Sequence, residues 1–195
     1  VTAYTLHSQG SYGLAASGDA GGFTLGTQFA VSENVTLTGI WFFVGTDVPS
    51  ACAIWDIATS AEVSGTLNSS PSWSSETAGA WAKCSYSGSV TLVPGHNYVV
   101  TVFADAGASW FYDVASYWTS GAGSGGITNG PLSAPSSSAA VNGQAVYNSG
   151  SSIAFPASTV SGFDFGVDVE VTPPASSPSA GRLVVSQAVK RSAFF

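Results

Sequence analysis

Apolar and polar residues alternate with a period of two through much of the chain, and stretches with helical period are nearly absent. Phe23-Thr24-Leu25-Gly26-Thr27-Gln28-Phe29 follows this pattern, Ser32-Glu33-Asn34 supplies a turn, and Val35 to Val44 resumes it. In the second run Ile40, Phe42 and Val44 fall on one face and Trp41 and Phe43 on the other. Bulk on both faces predicts a central strand. Ala51 to Asp56, Trp81 to Tyr86, Val90 to Leu92 and Tyr98 to Phe103 read as further strands, the last preceded by a turn at Pro94-Gly95-His96-Asn97. Weaker signals lie at Glu62 to Leu67, Trp110 to Val114 and Ala145 to Tyr147, and Phe165 to Val171 closes the series. Eight or nine strands so spaced predict an all-β, two-sheet sandwich of jelly-roll type, with Trp41, Trp55 and Trp81 in its core. Gly121 to Gly143 lacks strand signals. A loop longer than about 15 residues in a compact domain is expected to be a binding feature or a packed cover over a sheet edge.

Charge divides the 195 residues into unequal parts. Arg182, Lys190 and Arg191 lie in the last fourteen residues, beyond a Pro/Ser-rich stretch, and Lys83 is the only other cation against eleven Asp and Glu. The body therefore carries −10 and the tail +3, which together give the net −7. The expected organisation is a sandwich over 1–172, a linker over 173–181 and a basic, apolar docking arm over 182–195. In the arm Arg182, Leu183, Val185, Lys190, Arg191, Phe194 and Phe195 are the candidate contacts: a β-branched run that can add a strand to another protein's sheet, cations for carboxylates, and two rings for pockets. Folding back onto the acidic body is the competing expectation. An acidic body repels phosphate backbones, so no nucleic-acid partner is predicted. No apolar run reaches the roughly 18 residues of a bilayer span, so no membrane insertion is predicted. The N-terminus lacks a signal-peptide pattern, and Val1 in a chain without Met fits either a processed secreted protein or a GTG start read as Val. A homo-oligomer is compatible with the sequence, but no residue specifies it.

Candidate chemistry is sparse. Cys52 and Cys84 form either one disulfide or two reduced, buried small hydrophobes, and metal-type spacing with His7 and His96 is absent. No metal or cofactor is predicted. Asp164 and Asp168, four positions apart, would stand about 13 Å apart along one strand face, too far for the carboxylate pair of a retaining glycosidase. With no nucleophile-elbow motif either, the chain is expected not to be an enzyme. Asp56, Asp105, Asp113, Asp164 and Asp168 could ligate calcium, but solvated carboxylates are the plainer reading. Glycan contact would draw on rings near loops: Trp73, Trp110, Tyr112, Tyr117 and Trp118.

Several patches occur in a familiar order: Phe23 to Phe29, Thr38 to Phe43, Ile54-Trp55-Asp56, Gly79-Ala80-Trp81, Val93 to Val100, Gly130 to Pro135, Phe155-Pro156 and Val167-Asp168-Val169. Over about residues 21–171 the chain resembles domain-of-unknown-function family four-zero-eight-two, a module of bacterial surface and secreted proteins. The resemblance implies a galactose-binding-like β-sandwich with a surface-binding role, and it supplies no active site. With the basic arm, the expectation is a bacteriophage capsid-decoration or minor-tail protein at the virion surface. It would dock on capsid or tail subunits through the arm and touch cell-surface glycan. The alternative expectation is a secreted carbohydrate-binding module.

Overall fold

Runs of β-branched and aromatic residues satisfy their backbone groups by pairing. In the computed structural model, which describes residues 2–7, 15–17, 22–106, 111–140 and 143–175, they pair into two main antiparallel sheets, with no helix among the described residues. The strands are β1 (Tyr4–Thr5), β2 (Ala15–Ser17), β3 (Phe23–Val31), β4 (Val35–Phe43), β5 (Ala51–Asp56), β6 (Ala61–Glu62), β7 (Trp81–Ser85) and β8 (Thr91–Leu92). They continue with β9 (Asn97–Ala104), β10 (Phe111–Asp113), β11 (Ile127–Asn129), β12 (Leu132–Ala134), β13 (Ala145–Ser149), β14 (Ser158–Val160) and β15 (Val167–Thr172). The smaller main sheet runs β1-β15-β4-β7, with β8 added to β4. The larger runs β11-β12-β3-β9-β5-β6, with β13 and β14 beside β3, and β2 pairs with β10 separately.

The two sheets close a sandwich over one apolar core. Leu25 and Phe29 of β3, Ile54 of β5 and Val100 and Val102 of β9 face Leu37, Ile40 and Phe42 of β4 and Val167, Val169 and Val171 of β15. The parity change between Leu37 and Ile40 has a local cause. Gly39 opposes Glu170 while Leu37 opposes Val171, so Thr38 is the extra residue of a β-bulge that resets which side chains point inward. The Thr38 hydroxyl closes the irregularity by donating to Glu170 Oε1 at 2.8 Å.

β4 is central, as its two-sided bulk predicts, but Trp41 and Trp55 are not core residues. Each is half-buried on the face turned away from the interior, Trp41 opposite Lys83 and Trp55 edge-on to Phe155. Trp81 is half-buried too, between Phe43 and His7. The Gly121–Gly143 stretch, expected to lack strands, contains the β11–β12 hairpin. Its two strands are three residues each around Gly130-Pro131, too short to leave a periodic signal. The strand expected over Glu62 to Leu67 stops at Glu62, because Gly65 turns at φ 84° and the Thr66 hydroxyl bonds Ile54 and Val63 instead.

Candidate binding site on the outer face of the larger sheet

Along one side of β3 the neighbour changes. β13 pairs with Phe23 to Thr27 and β12 with Ala30 and Val31, leaving Gln28 and Phe29 between diverging strands. Amide side chains take the place of the missing ladder. Gln144 Nε2 donates to Gln28 O at 2.6 Å, and Gln28 Nε2 donates to Gly143 O. A groove of about 440 Å³ opens beside this junction.

Strand register builds its floor. Thr128, Ser133, Ala30 and Asn97 stand in one row across β11, β12, β3 and β9, and residues opposite one another in register share a face. Ala30 makes a low point in the middle. Ile127, Pro135, Ser136 and Ala139 form the walls with Gly125 and Gly126. Gly126 has φ +79°, and a Cβ there would lie 2.8 Å from Ala134 O, so the wall closes on the hairpin only with glycine. No Asp, Glu, Lys, Arg or His lines the groove among the described residues. The Asn97, Thr128 and Ser133 side chains make no hydrogen bond among the described residues. The far end of the hairpin is held by the first strand: Asn129 Nδ2 donates to Thr5 O at 2.9 Å.

Of the aromatic residues expected to meet glycan, Trp73, Tyr117 and Trp118 have described side chains, and all three are packed into the body. Trp118 is 1% exposed, which removes it from any surface role; its ring is packed so closely on Gly123 that a Cβ there would lie 2.6 Å from Trp118 Cε3. Tyr117 is half-buried, edge-on to Trp118 at 5.0 Å between centroids. Trp73 is half-buried, with Nε1 donating to Pro49 O at 2.8 Å and the ring tilted onto Phe42. Tyr112 lies in β10 opposite Ala16, and Trp110 is outside the described residues. Trp73, Tyr117 and Trp118 do not line the groove. The only sequence signal for the groove was the length of the Gly121–Gly143 stretch, since neutral residues at register-related positions carry no motif.

Cys52 and Cys84, from different sheets, meet in the core as thiols. Their mutual hydrogen bond and then burial push the Cys52 thiol far up. Tyr86 Oη lies 3.4 Å from Cys52 Sγ, and Asn68 Nδ2 donates to Cys84 Sγ at 3.5 Å. The arm contacts expected at Arg182, Leu183, Val185, Lys190, Arg191, Phe194 and Phe195 lie outside the described residues.

Asp164 and Asp168 do not share a strand face. Asp164 precedes β15 and exchanges backbone hydrogen bonds with Val114, and Gly166, at φ 64°, turns the chain between the two carboxylates. Both carboxylates are buried and close on the N-terminal segment. Asp168 Oδ1 accepts from Leu6 N and Val169 N at 2.9 and 2.7 Å, and its Oδ2 accepts from His7 N at 2.9 Å. Asp164 Oδ2 lies 3.4 Å from His7 Nε2, while His7 Nδ1 is 3.3 Å from Tyr117 Oη and the imidazole stacks on Trp81. Burial raises Asp164 to about 7 and Asp168 to about 6, and lowers His7. Asp56, another carboxylate considered for calcium, pairs with His96 at 2.5 Å, and no group of three or more potential metal ligands assembles among the described residues.

A β-sandwich with a neutral groove on one outer face is the class of module that fold and site define. A family model matches residues 11–167, and the chain belongs to that family, a domain of unknown function (DUF4082). No curated protein and no solved structure matches the chain.

Proposed function

We propose that the chain is a non-enzymatic surface module of a bacteriophage particle, a capsid-decoration or minor-tail protein held by its C-terminal arm, with the sandwich presented for adhesion to host glycan. The partition of charge supports this reading most directly. The body's single cation is already engaged: Lys83 Nζ lies 2.5 Å from Glu170 Oε1 and 5.7 Å from the Trp41 ring centroid. Positive charge available for docking is therefore that of Arg182, Lys190 and Arg191, attached to a body whose remaining charges are acidic. The burial of Asp164 and Asp168, with Asp168 spent on backbone N–H groups and Asp164 set between the Gly166 N–H and His7, supports a structural use for the pair that best resembled catalytic carboxylates.

Removal of residues 182–195 tests the proposal. The truncated protein should keep its fold but no longer co-sediment with the source particles, and charge reversal at Arg182, Lys190 and Arg191 should have the same effect. Undiminished co-sedimentation without the arm would overturn attachment through it. A secreted carbohydrate-binding module is the second reading, favoured by the groove, which is independent of the arm. It takes the lead if the protein binds saccharide and has no affinity for particles.

A further inference from the structure

We propose that the groove over Thr128, Ser133, Ala30 and Asn97 is a binding site for an uncharged saccharide. This deepens the adhesive part of the function proposed above, and its test is separable from arm-mediated attachment.

Chemistry selects the ligand class. Among the described residues, a ligand carrying phosphate, sulfate or carboxylate would find no cation in the groove and an acidic body around it, and a cationic ligand would find no carboxylate lining. What the groove offers is an amide at Asn97, hydroxyls at Thr128, Ser133 and Ser136, and apolar contact from Pro135 and Ala139. Sugars pair a ring of hydroxyls with apolar C–H faces, and they match such a surface. The amide and the two hydroxyls on the floor are not spent on partners within the described residues, so a ligand's hydroxyls would displace water from them without breaking an internal bond.

Architecture supports a kept opening. The strands flanking β3 diverge at Gln28, and the Gln28–Gln144 amide pair satisfies backbone groups that a continuous strand would otherwise cover. Gln144 is fully buried, and its Oε1 has no partner among the described residues, a cost that an ordinary paired strand would avoid. About 440 Å³ lies within the range of small-molecule sites and accepts one or two sugar rings. Among the described residues no exposed aromatic ring lines the floor, so affinity should be weak and come from hydrogen bonds and from repetition of the module on a surface.

Saturation-transfer NMR on the purified full chain provides the test, with glucose, galactose, mannose, N-acetylglucosamine and their disaccharides as neutral probes and sialyllactose as the charged control. At least one neutral probe should bind, and binding should fall at least tenfold in Ala30→Leu, which fills the low point, and in Asn97→Ala, which removes an exposed amide. Two variants on the outer face guard against a folding artefact in either one. Absence of binding to every neutral probe by folded protein overturns the site, as does binding unchanged in both variants or preference for sialyllactose. Particle co-sedimentation of the same variants separates the two proposals. It should be unchanged when sugar binding is lost.

Discussion

The thiols of Cys52 and Cys84 lie together in the buried core from opposite sheets, 32 positions apart in sequence. Cross-linking them would tie the halves of the sandwich through its middle. Treatment with oxidised glutathione during refolding should close the bridge, each thiol losing its hydrogen as glutathione is reduced, and raise unfolding stability by about 3 kcal/mol through constraint of the unfolded chain. Thiol titration and the urea midpoint report the two effects. A midpoint that stays fixed after both thiols disappear would show that closure strains the core as much as it restrains the unfolded state.

Asp168 holds Leu6 and His7 through their two backbone N–H groups and accepts a third from Val169, and an amide cannot replace both oxygens as acceptors. Asp168→Asn should therefore destabilise by about 1–3 kcal/mol, seen as a lower denaturation midpoint. Hydrogen exchange of the Leu6 and His7 amides should accelerate most. Uniform acceleration through the whole body would point to a global effect instead.

The pH dependence has a definite sign. Asp164 and Asp168 have folded pKa values of about 7 and about 6, above the ordinary 3.8, so their contribution to stability is fully present below about pH 4 and is lost as pH rises to about 7. His7 acts in the opposite direction, because its lowered folded pKa removes stability as pH falls below 6.5. Asp164→Asn removes one carboxylate from this balance and should flatten the fall in stability between pH 4 and 7. Urea midpoints at pH 4.5, 6 and 7.5 measure it, and slopes identical to those of the native protein would contradict the assignment.

Lys83 lies across the space that a Cβ at Gly39 would take, with its Cε 2.4 Å from that position. Gly39→Ala should push the side chain aside, loosen its pair with Glu170 and cost about 1 kcal/mol. In a Lys83→Ala background the same change should cost much less. A double-mutant cycle gives the comparison; equal costs in both backgrounds would place the strain elsewhere.

Gly26 presents a harder limit. A Cβ there would meet Val99 Cγ1 at 2.7 Å, Thr101 Cγ2 at 2.9 Å and the Val100 carbonyl oxygen at 2.9 Å, the last of which cannot rotate away. Gly26→Ala should cost about 1–3 kcal/mol by overpacking. Thermal denaturation of that single variant suffices, and an unchanged melting temperature would mean that β3 and β9 can separate at no cost.

The long strands were legible because alternation marks Phe23–Val31 and a β-branched and aromatic run marks Asn97–Ala104, two strands buried on both faces. Short strands such as Tyr4–Thr5 and Leu132–Ala134 were not, since their positions depend on partners more than a hundred residues away. Bulky rings misled for a related reason. Trp41 and Trp55 resemble core residues by type, yet the bulge at Thr38 and the strand register turn them outward, while Trp118, near a loop in sequence, is enclosed. The groove was invisible because its row is assembled from four strands. The arm's composition remains the strongest sequence signal, and it lies outside the described residues.

The antiparallel pairing of Tyr4 with Val171 sets the opening residues beside the closing strand, with Asp168 latched onto them. During synthesis the smaller sheet stays unfinished until Thr172 has left the ribosome, so a nascent chain must hold β1 unpaired while residues 6–166 are made. Once the sheet closes, whatever precedes Tyr4 and whatever follows Thr172 emerge from the same pole. A neighbour joined at either end would meet the same side of the sandwich, and tension pulling the two ends apart would unzip the short β1 ladder before it reached the core.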